Sequence, residues 1–350
     1  MTGRERILAA LRRQQPDRLP TMEWVLHPHV MKDMNGAVSD VEFARKAGLD
    51  GIAVSLDYTQ ERIDDRHFKD EWGVVRVSYD DYPNPVGYPV KDIADFEKIV
   101  IPDPDADYRY NKIKKALAAV GDEIAVVPRV KDVFSQPRDL MGFEEFLMAF
   151  YLDPELIEAM MKMCVAHSTA IAKNLVEIGI EAVVIGDDIA NNTGLLIKPE
   201  MYLEQVYPYF KELVGNFKDL GLLVIKHSDG DLRAILPELV ESGIDCLDPI
   251  DPLGNMDMAY MKKTYGARIA LKGNVDCVET LVGKPVDDVR KETAQCILDG
   301  AVGGGHIISS SNSIHKGISP VNYQAFLDAV IEFGYYPIDE EYLRKVVSGL

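Results

Sequence analysis

The chain has 350 residues, of which 47% are hydrophobic and 27% charged, and a net charge of −19. The length and composition are typical of a globular protein with one large α/β domain or two ordinary ones. The acidic excess argues against binding to nucleic acid or an anionic membrane, because phosphate binding needs a basic patch.

Short runs rich in Val and Ile alternate with helical patterns along the chain. Eight of these runs are predicted as strands: 19–25, 51–58, 123–130, 181–188, 222–230, 244–251, 268–276 and 306–313. Helices are predicted between and after them at 38–50, 108–120, 154–178, 199–220, 231–243, 256–266, 285–300 and 321–334. Residues 70–90 alternate and carry turn signals, which predicts a β-hairpin inserted after the second strand.

Eight strand–helix units predict an α/β fold of the (β/α)8 TIM-barrel type, as a single domain over residues 1–350. A doubly wound sheet would instead open with a glycine-rich turn between its first strand and helix. The glycine cluster at 300–306 precedes the last predicted strand, so we favour the barrel.

The four cysteines, Cys164, Cys246, Cys277 and Cys296, form no CxxC pair. We therefore expect neither a disulfide framework nor a zinc knuckle, which agrees with a reducing compartment. The sequence has no signal-peptide pattern and no apolar run near the ~18 residues that a membrane span needs. These features predict a cytoplasmic protein without a membrane partner.

Polar side chains follow nearly every predicted strand, where the active site of such a barrel lies. They are Glu23, His27, His29, Asp57, Tyr58, Arg129, Lys131, Asp132, Asp187, Asp188, Asn191, Asn192, His227, Asp229, Asp248, Asp251, Lys272, Asn274, Asp276, Cys277 and Ser309 to Ser313 with Asn312. So many titratable groups at one rim indicate a catalytic pocket.

The stretch VIKHSDGDL, 224–232, has the most informative of these strand ends. His227 and Asp229 are two residues apart, so on an extended chain they point to the same side. Gly230 lets the backbone turn, and Asp231 can cap the next helix. A hydrogen-bonded core histidine is the simpler interpretation, but acids on the neighbouring strands favour a functional role.

Other candidates are less specific. Asp187 and Asp188 fit helix caps as well as site residues. The spacing of His27 and His29 occurs in metal sites, although a proline separates them. Cys277 is either a soft ligand or a small buried hydrophobe. For Lys272, the sequence leaves open binding to an anion or pairing with an aspartate across the barrel.

The segments KHSDGDLRAILPELVESGIDCLDPID, LKGNVD and GGGHIISSSNSI resemble the uroporphyrinogen decarboxylase superfamily. The resemblance covers most of the chain and is strongest over 187–330. It implies the (β/α)8 fold and one of two reactions, which are cofactor-free decarboxylation and methyl transfer with a corrinoid protein. Members are often dimers, so the resemblance leaves a homodimer open.

The decarboxylase branch has an arginine-rich N-terminal segment that binds substrate carboxylates and a Gly-His-Gly after the eighth strand. The matching stretches here are TMEWVLHPHV, which lacks arginine, and SSSNSI, with Asn312 in place of the histidine. Asp57 matches the acid that faces the pyrrole nitrogens in that branch. As a decarboxylase, the chain would need no cofactor, and Asp57 would stabilise the protonated ring intermediate.

The thiol-methylating branch binds zinc through a His-x-Cys after the fifth strand and a cysteine after the eighth. The first reads His227-Ser228-Asp229 here, and the second falls near Asn312. This harder ligand set suits oxygen-bearing groups better than thiols. Coenzyme M is therefore not the expected methyl acceptor.

The favoured hypothesis is a corrinoid-dependent methyltransferase component that moves a methyl group from a small O- or N-methyl compound to cobalamin on a partner protein. His227 and Asp229, with Asp187 or Cys277, would hold a Zn²⁺ ion or hydrogen-bond the leaving atom directly. The residues expected to bind substrate are Arg129, Lys131, Asp188, Lys272, Asn274 and Asn312. The alternatives are the decarboxylase, with Asp57 as a catalytic residue, and a binding barrel without catalysis.

Overall fold

The computed structural model describes residues 1–79, 82–186 and 188–349. Its strands in chain order are β1 (Gly51–Ser55), β2 (Gln60–Arg62), β3 (His67–Asp70), β4 (Val75–Tyr79), β5 (Tyr82–Gly87), β6 (Ala125–Lys131), β7 (Ala182–Gly186), β8 (Ala190–Asn191), β9 (Gly194–Leu195), β10 (Leu223–His227), β11 (Cys246–Asp248), β12 (Ala270–Lys272) and β13 (His306–Ile307). Within these residues, a curled sheet of seven parallel strands forms the centre, in the order β1-β6-β7-β10-β11-β12-β13. The molecule therefore has an α/β fold.

Helices connect and cover the sheet strands. They are α1 (Gly3–Leu11), α2 (Pro28–Asn35), α3 (Asp40–Ala47), α4 (Ile93–Phe96), α5 (Asn111–Val120), α6 (Ser135–Met141), α7 (Phe143–Leu152), α8 (Pro154–Glu177), α9 (Pro199–Met201), α10 (Tyr207–Asp219), α11 (Leu236–Glu241), α12 (Met258–Tyr265), α13 (Thr280–Gly283), α14 (Val286–Gly300), α15 (Pro320–Phe333) and α16 (Glu340–Ser348). Short 3₁₀ segments occupy Asp107–Tyr110 and Arg233–Ile235. Across the described residues, no helix is long and apolar enough to span a bilayer.

Two apolar clusters hold the strands from opposite faces. Val126 and Val224 pack on the side of the helices, whereas Val127 and Ile225, their neighbours in sequence, belong to an inner cluster. This division follows from the two-residue period of a strand. Helix α1 packs its apolar residues into the inner cluster, and its first amide donates to the Glu123 carbonyl just before β6. The helix thus lies at the amino-terminal ends of the strands, and the polar strand ends lie opposite.

The seven predicted strands from 51–58 onward are confirmed as β1, β6, β7, β10, β11, β12 and β13, each shorter than predicted. The first predicted strand, 19–25, is not formed as a regular strand. Thr21 and Met22 make single parallel bridges, to Ile308 beyond β13 and to Gly51 of β1. Pro20 supplies no N–H, and the Thr21 amide donates to the Asp50 side chain, so a regular ladder cannot begin there.

The insertion after β1 is larger than the predicted hairpin. Among the described residues it is a four-stranded antiparallel sheet, β2-β3-β4-β5, which spans residues 60–87. Strand β2 is exposed along its whole length and carries charged residues, which hides it from a hydrophobic pattern. The turn of the predicted hairpin includes residues 80 and 81, which lie outside the described part of the chain.

Two helices differ from expectation for local reasons. The predicted helix 199–220 is divided by a π-helical segment, Tyr202–Val206, before α10. Pro208 has no N–H to continue the regular pattern at that point. The His27–His29 pair begins α2: the His29 amide donates to His27 Nδ1 at 3.2 Å, with Pro28 as the first helical residue. Helix capping therefore explains the spacing of these histidines.

The buried His306 predicts how the stability of the fold depends on pH. Its Nε2 lies 2.7 Å from the Gly273 carbonyl oxygen, and burial lowers the pKa of His306 from 6.5 to about 3. An unfolded chain takes up this proton near pH 6.5, whereas the folded one does not, so stability falls as the pH drops from there. The loss is up to roughly 1.4 kcal/mol per pH unit. We expect His306→Gln to flatten the plot of unfolding free energy against pH between 4 and 6.5, relative to wild type.

Urea unfolding at a series of pH values measures this slope for wild type and variant. The exposed His29, changed to Gln, serves as the control and should leave the slope unaltered. Identical slopes for wild type and His306→Gln would contradict the prediction.

Candidate active site

A chain of three charged side chains joins the carboxyl ends of β10, β11 and β12. The parallel register sets His227 beside Asp248, and His227 Nδ1 donates to Asp248 Oδ2 at 3.1 Å. Lys272 Nζ donates to the other oxygen of Asp248 at 2.7 Å. All three side chains are buried, with at most 4% of each exposed. Asp248, itself held by Lys272, therefore fixes the imidazole in one orientation.

The charges of this chain support one another. Burial alone would raise the pKa of Asp248, but the positive charge of Lys272 and the hydrogen bond from His227 lower it to about 2. Burial alone would lower the pKa of His227, but Asp248 outweighs it and raises that pKa. The hydrogen bond to Asp248 places the proton of the imidazole on Nδ1 of His227. Nε2 points away from Asp248 and is therefore a potential metal ligand.

Nε2 of His227 faces two carboxylates. Asp188 Oδ1 and Asp229 Oδ1 each lie 3.9 Å from it, and one ligand atom from each of the three residues lies within 4.8 Å of the others. Asp229 Oδ2 accepts a hydrogen bond from Asn312 Nδ2, and the Asp229 amide donates to Asp188 Oδ1 at 2.9 Å. We call Asp188, His227 and Asp229 the acidic cluster.

One oxygen of the acidic cluster receives no hydrogen bond from the described part of the chain. Asp229 Oδ1 is buried and has no hydrogen-bond partner among the described residues. Burial, reinforced by the neighbouring carboxylates, raises the pKa of Asp229 to about 7. A buried carboxylate oxygen without a donor is costly, and a cation would satisfy it. One imidazole nitrogen, two carboxylates and a third carboxylate behind the imidazole, that of Asp248, fit Zn²⁺ or another divalent metal.

Two further residues, Asp187 and Cys277, were predicted as metal ligands. Asp187 lies outside the described residues. The structure does not bring Cys277 to the cluster: its Sγ receives a hydrogen bond from Ser311 Oγ at 3.4 Å. Burial raises the pKa of Cys277 to about 11, which keeps it a thiol and a weak ligand.

A tryptophan covers the histidine. The Trp24 ring stacks on His227 with 3.9 Å between ring centroids and an angle of 9° between planes. Gly186 allows this stacking, because a Cβ there would lie 3.2 Å from the indole and 3.5 Å from His227 Cβ. Trp24 also lines a cavity of about 370 Å³, which lies between the strand ends and the inserted sheet. The ring thus contacts His227 and borders the cavity.

Three residues that were predicted as catalytic or substrate-binding line this cavity: Asp57, Arg129 and Lys131. Arg129 donates to the Trp24 carbonyl at 3.2 Å, and its guanidinium carbon lies 5.4 Å from the indole centroid. Lys131 pairs with Asp139 at 3.3 Å. The remaining one, Asp57, accepts the backbone N–H of Lys112 at 2.8 Å and pairs with its ammonium at 3.1 Å.

Two residues predicted to bind substrate support other groups instead. Lys272 is 1% exposed and holds Asp248. The backbone N–H of Asn274 donates to Cys296 Sγ at 3.1 Å, and that thiol donates to Asn274 Oδ1. These bonds turn the Asn274 side chain toward α14. Neither is among the described residues that line the cavity.

Sequence reasoning missed the parts of the site that depend on contacts across strands. In the sequence, Asp248 is one of many polar residues at strand ends, and only its register with His227 reveals its role. Trp24 follows Glu23 in a segment without regular strand structure. Its rarity was the available signal, since the chain has 2 tryptophans in total.

The role of Asp248 gives a prediction for metal affinity. Asp248→Asn keeps the shape of the side chain but removes the charge that orients His227 and stabilises its Nδ1 proton. We expect a roughly 10- to 100-fold loss of Zn²⁺ affinity, which is typical when such a partner of a ligating histidine is changed. Competition with a fluorescent zinc chelator measures the affinity.

Asp245→Asn is the matched control, because Asp245 lies just before β11 and accepts from Lys218 Nζ at 2.5 Å and the Val224 amide at 2.8 Å, away from the cluster. Equal zinc affinities for the two variants would argue against an orienting role of Asp248.

The fold and these residues define an α/β protein with a candidate divalent-metal centre at the carboxyl ends of its strands. The chain belongs to the uroporphyrinogen decarboxylase (URO-D) family, whose model matches residues 73–333. It is thus an enzyme of this superfamily, as the sequence motifs predicted.

Several relatives are similar to this chain at low identity. A methylcobamide:CoM methyltransferase of Methanosarcina mazei is 24% identical, with 95% of this chain and 99% of the relative covered. A methylated-thiol–coenzyme M methyltransferase of the same organism is 23% identical over 65% of this chain, and the match spans 59% of that protein's length. A uroporphyrinogen decarboxylase of Alkalilimnicola ehrlichii is 23% identical over 69% of this chain and 67% of the relative.

The fold is similar to that of a solved methyltransferase structure. A methyltransferase from Methanosarcina mazei superposes with a TM-score of 0.76 at 20% identity, and the match covers 95% of this chain and 99% of that one. At this identity the likeness concerns the fold alone.

Proposed function

We propose that the protein is the methyltransferase component of a corrinoid-dependent system, which moves a methyl group from a small O- or N-methyl compound to cobalamin on a partner protein. The observation that carries this proposal is the acidic cluster beside a cavity, with Asp229 Oδ1 buried and lacking a donor within the described chain. The relatives named as methylcobamide:CoM methyltransferases support a corrinoid partner.

The chain's own residues prepare the cluster for a metal. Asp248 orients the imidazole, Asn312 holds Asp229, and Trp24 shields His227 from water. A Zn²⁺ ion held by Asp188, His227 and Asp229 would supply Lewis-acid chemistry toward the leaving atom of the substrate. In the reaction, the bond from carbon to oxygen or nitrogen breaks, its electron pair stays on the heteroatom, and the heteroatom takes a proton from water. The methyl carbon bonds to the reduced cobalt of the partner's cobalamin.

The donor types favour an oxygen or nitrogen leaving group over sulfur. Carboxylates at Asp188 and Asp229 make a hard set with one imidazole. Asp229 and Asn312, which contact each other, occupy the places where the family resemblance puts thiolates. Coenzyme M is therefore not part of the proposed reaction.

We also propose that the sheet closes into a (β/α)8 barrel, a single domain over residues 1–350 with the inserted sheet after β1. The bridges from Thr21 to Ile308 and from Met22 to Gly51 support closure, because they join one segment to both edges of the sheet. Closure would bring all the strand ends to one rim.

Decarboxylation of a porphyrinogen is the alternative, with Asp57 as the key acid. Asp57 does line the cavity, but it is paired with Lys112. Arg76 and Arg109, on the cavity wall, are engaged with protein carboxylates. A substrate with many carboxylates would meet few cations that are not already paired in this way, so this reaction is disfavoured.

The test combines metal analysis with two assays. Purified protein is assayed for bound zinc and then mixed with cobalt(I) cobalamin and methanol, methylamines or methoxylated compounds, while methylcobalamin is followed by absorbance. Methylcobalamin formation with an O- or N-methyl donor is expected. Release of CO₂ from uroporphyrinogen, without methyl transfer from any donor, would replace the proposal with the decarboxylase.

A further inference from the structure

The cavity beside Trp24 has the size and lining of a small-molecule site. Its volume of about 370 Å³ is near the lower end of the range for ligand pockets. Trp24, Trp72, Tyr58 and Met163 contribute rings and a flexible apolar chain to its wall. Such a wall favours a ligand with a flat, apolar body the size of one ring.

The carboxylates of the wall do not favour a cationic ligand. Each of the four already forms an ion pair: Asp57 with Lys112, Asp70 and Asp139 with Arg76, and Glu71 with Arg109. A cation entering the cavity would have to compete with these partners. Arg129, close to the indole of Trp24, adds positive charge on the same wall.

The side chain of Gln136 has a buried donor on this wall that no described residue accepts. Gln136 of α6 lines the cavity and is 6% exposed, and its Nε2 is buried with no hydrogen-bond acceptor in the described part of the chain. An unsatisfied buried donor costs about 1–3 kcal/mol, which an incoming acceptor would recover. The oxygen of a ligand is the acceptor that this position suits.

We propose that the ligand of this cavity is a flat, ring-sized molecule that carries an oxygen acceptor. Its oxygen accepts a hydrogen bond from the Gln136 amide, and its ring packs against Trp24 and Trp72. The inference relies on the proposed function only in taking this ligand to be the methyl donor; binding itself is testable without cobalamin. Trp24 then contacts both the ligand and His227. The substrate class becomes a neutral or anionic ring compound rather than a methylammonium compound.

The chain carries its own reporter for this test. Its 2 tryptophans both line the cavity, so intrinsic fluorescence responds to a ligand there. Three probes separate the alternatives: benzoate has a ring and an oxygen acceptor, toluene has the ring alone, and tetramethylammonium has only positive charge. We expect saturable quenching by benzoate, weaker quenching by toluene and none by tetramethylammonium.

Gln136→Leu removes the amide and keeps the apolar body. We expect it to weaken benzoate binding at least about tenfold, the equivalent of 1.4 kcal/mol, and to leave toluene binding within about twofold of wild type. Gln205→Leu is the matched control. Gln205 also has a buried side-chain atom with no partner among the described residues, its Oε1, but it is not among the residues that line this cavity. It should leave benzoate binding unchanged.

The outcomes separate the inference from the proposed function. Benzoate affinity that is equal in wild type and folded Gln136→Leu, or lower than that of tetramethylammonium, overturns the inference. If Gln136→Leu does not fold, the wild-type comparison decides, and benzoate that binds no tighter than toluene overturns it. Benzoate binding with the expected loss, together with no methyl transfer from any donor, supports the site and refutes only the methyltransferase.

Discussion

His227→Ala is expected to remove the bound metal from the acidic cluster and to reduce methyl transfer by more than about a hundredfold. Changing a partner of a ligating histidine costs roughly 10- to 100-fold, and removing the ligand itself should cost more. The variant takes away the single nitrogen of the set and leaves two carboxylates, at Asp188 and Asp229, whose mutual repulsion the metal was expected to offset. Elemental analysis of the purified protein gives the zinc content, and methylcobalamin absorbance gives the rate.

The control for this variant is His29→Ala, because His29 is exposed at the start of α2 and lies outside the cluster. It should retain both zinc and activity. A His227→Ala protein with a wild-type circular dichroism spectrum, full zinc content and an undiminished rate would exclude the histidine from the reaction. Loss of activity with full zinc content would instead mean that the imidazole contacts the substrate directly.

Local spacing predicted the centre of this site. His227 and Asp229 are two residues apart at a strand end, and the structure brings His227 Nε2 and Asp229 Oδ1 to 3.9 Å. Asp188 follows the neighbouring strand β7, whose register sets Gly186 beside His227. The pattern thus predicted that His227 and Asp229 lie together, but it assigned Asp188 to substrate binding, and only the strand order shows that Asp188 joins the cluster.

The supporting residues could not be predicted in this way, because their direction depends on packing outside the strand. Lys272 and Asn274 follow one another closely at the end of β12, yet the first points to Asp248 and the second to Cys296 of α14. Cys277 faces Ser311 rather than the cluster. Nothing in the local sequence distinguishes these directions.

The folded state also depends on an ion pair on the face of β10 opposite to His227. Lys226 is fully buried, and its Nζ donates to Asp132 Oδ2 at 2.6 Å and lies 5.6 Å from the Phe210 ring centroid. The other carboxylate oxygen accepts the amides of Phe134 and Ser135. Burial alone would raise the pKa of Asp132, but the charge of Lys226 and these hydrogen bonds lower it. The Asp132 carboxylate thus remains ionised inside the protein.

Lys226→Met is therefore expected to lower the free energy of unfolding by about 3–5 kcal/mol, because it leaves the Asp132 charge buried without its ammonium partner. Urea denaturation measures the loss. Lys226→Met combined with Asp132→Asn is the comparison, since it removes the charge and keeps an acceptor for the two amides. We expect the double variant to be more stable than the single one. A loss below about 1 kcal/mol for Lys226→Met would mean that the pair contributes little.

The Lys226–Asp132 ion pair and the acidic cluster include consecutive residues of β10, Lys226 and His227. Lys226 and His227 point to opposite faces of β10, so Asp132 holds the strand from the side of the helices while Asp248 holds the imidazole from within. A folded Lys226→Met protein should thus bind zinc more weakly than wild type although no ligand is changed, and the double variant should recover part of the affinity. Zinc affinity that is unchanged in a destabilised Lys226→Met protein would show that the imidazole is positioned by Asp248 and Trp24 alone.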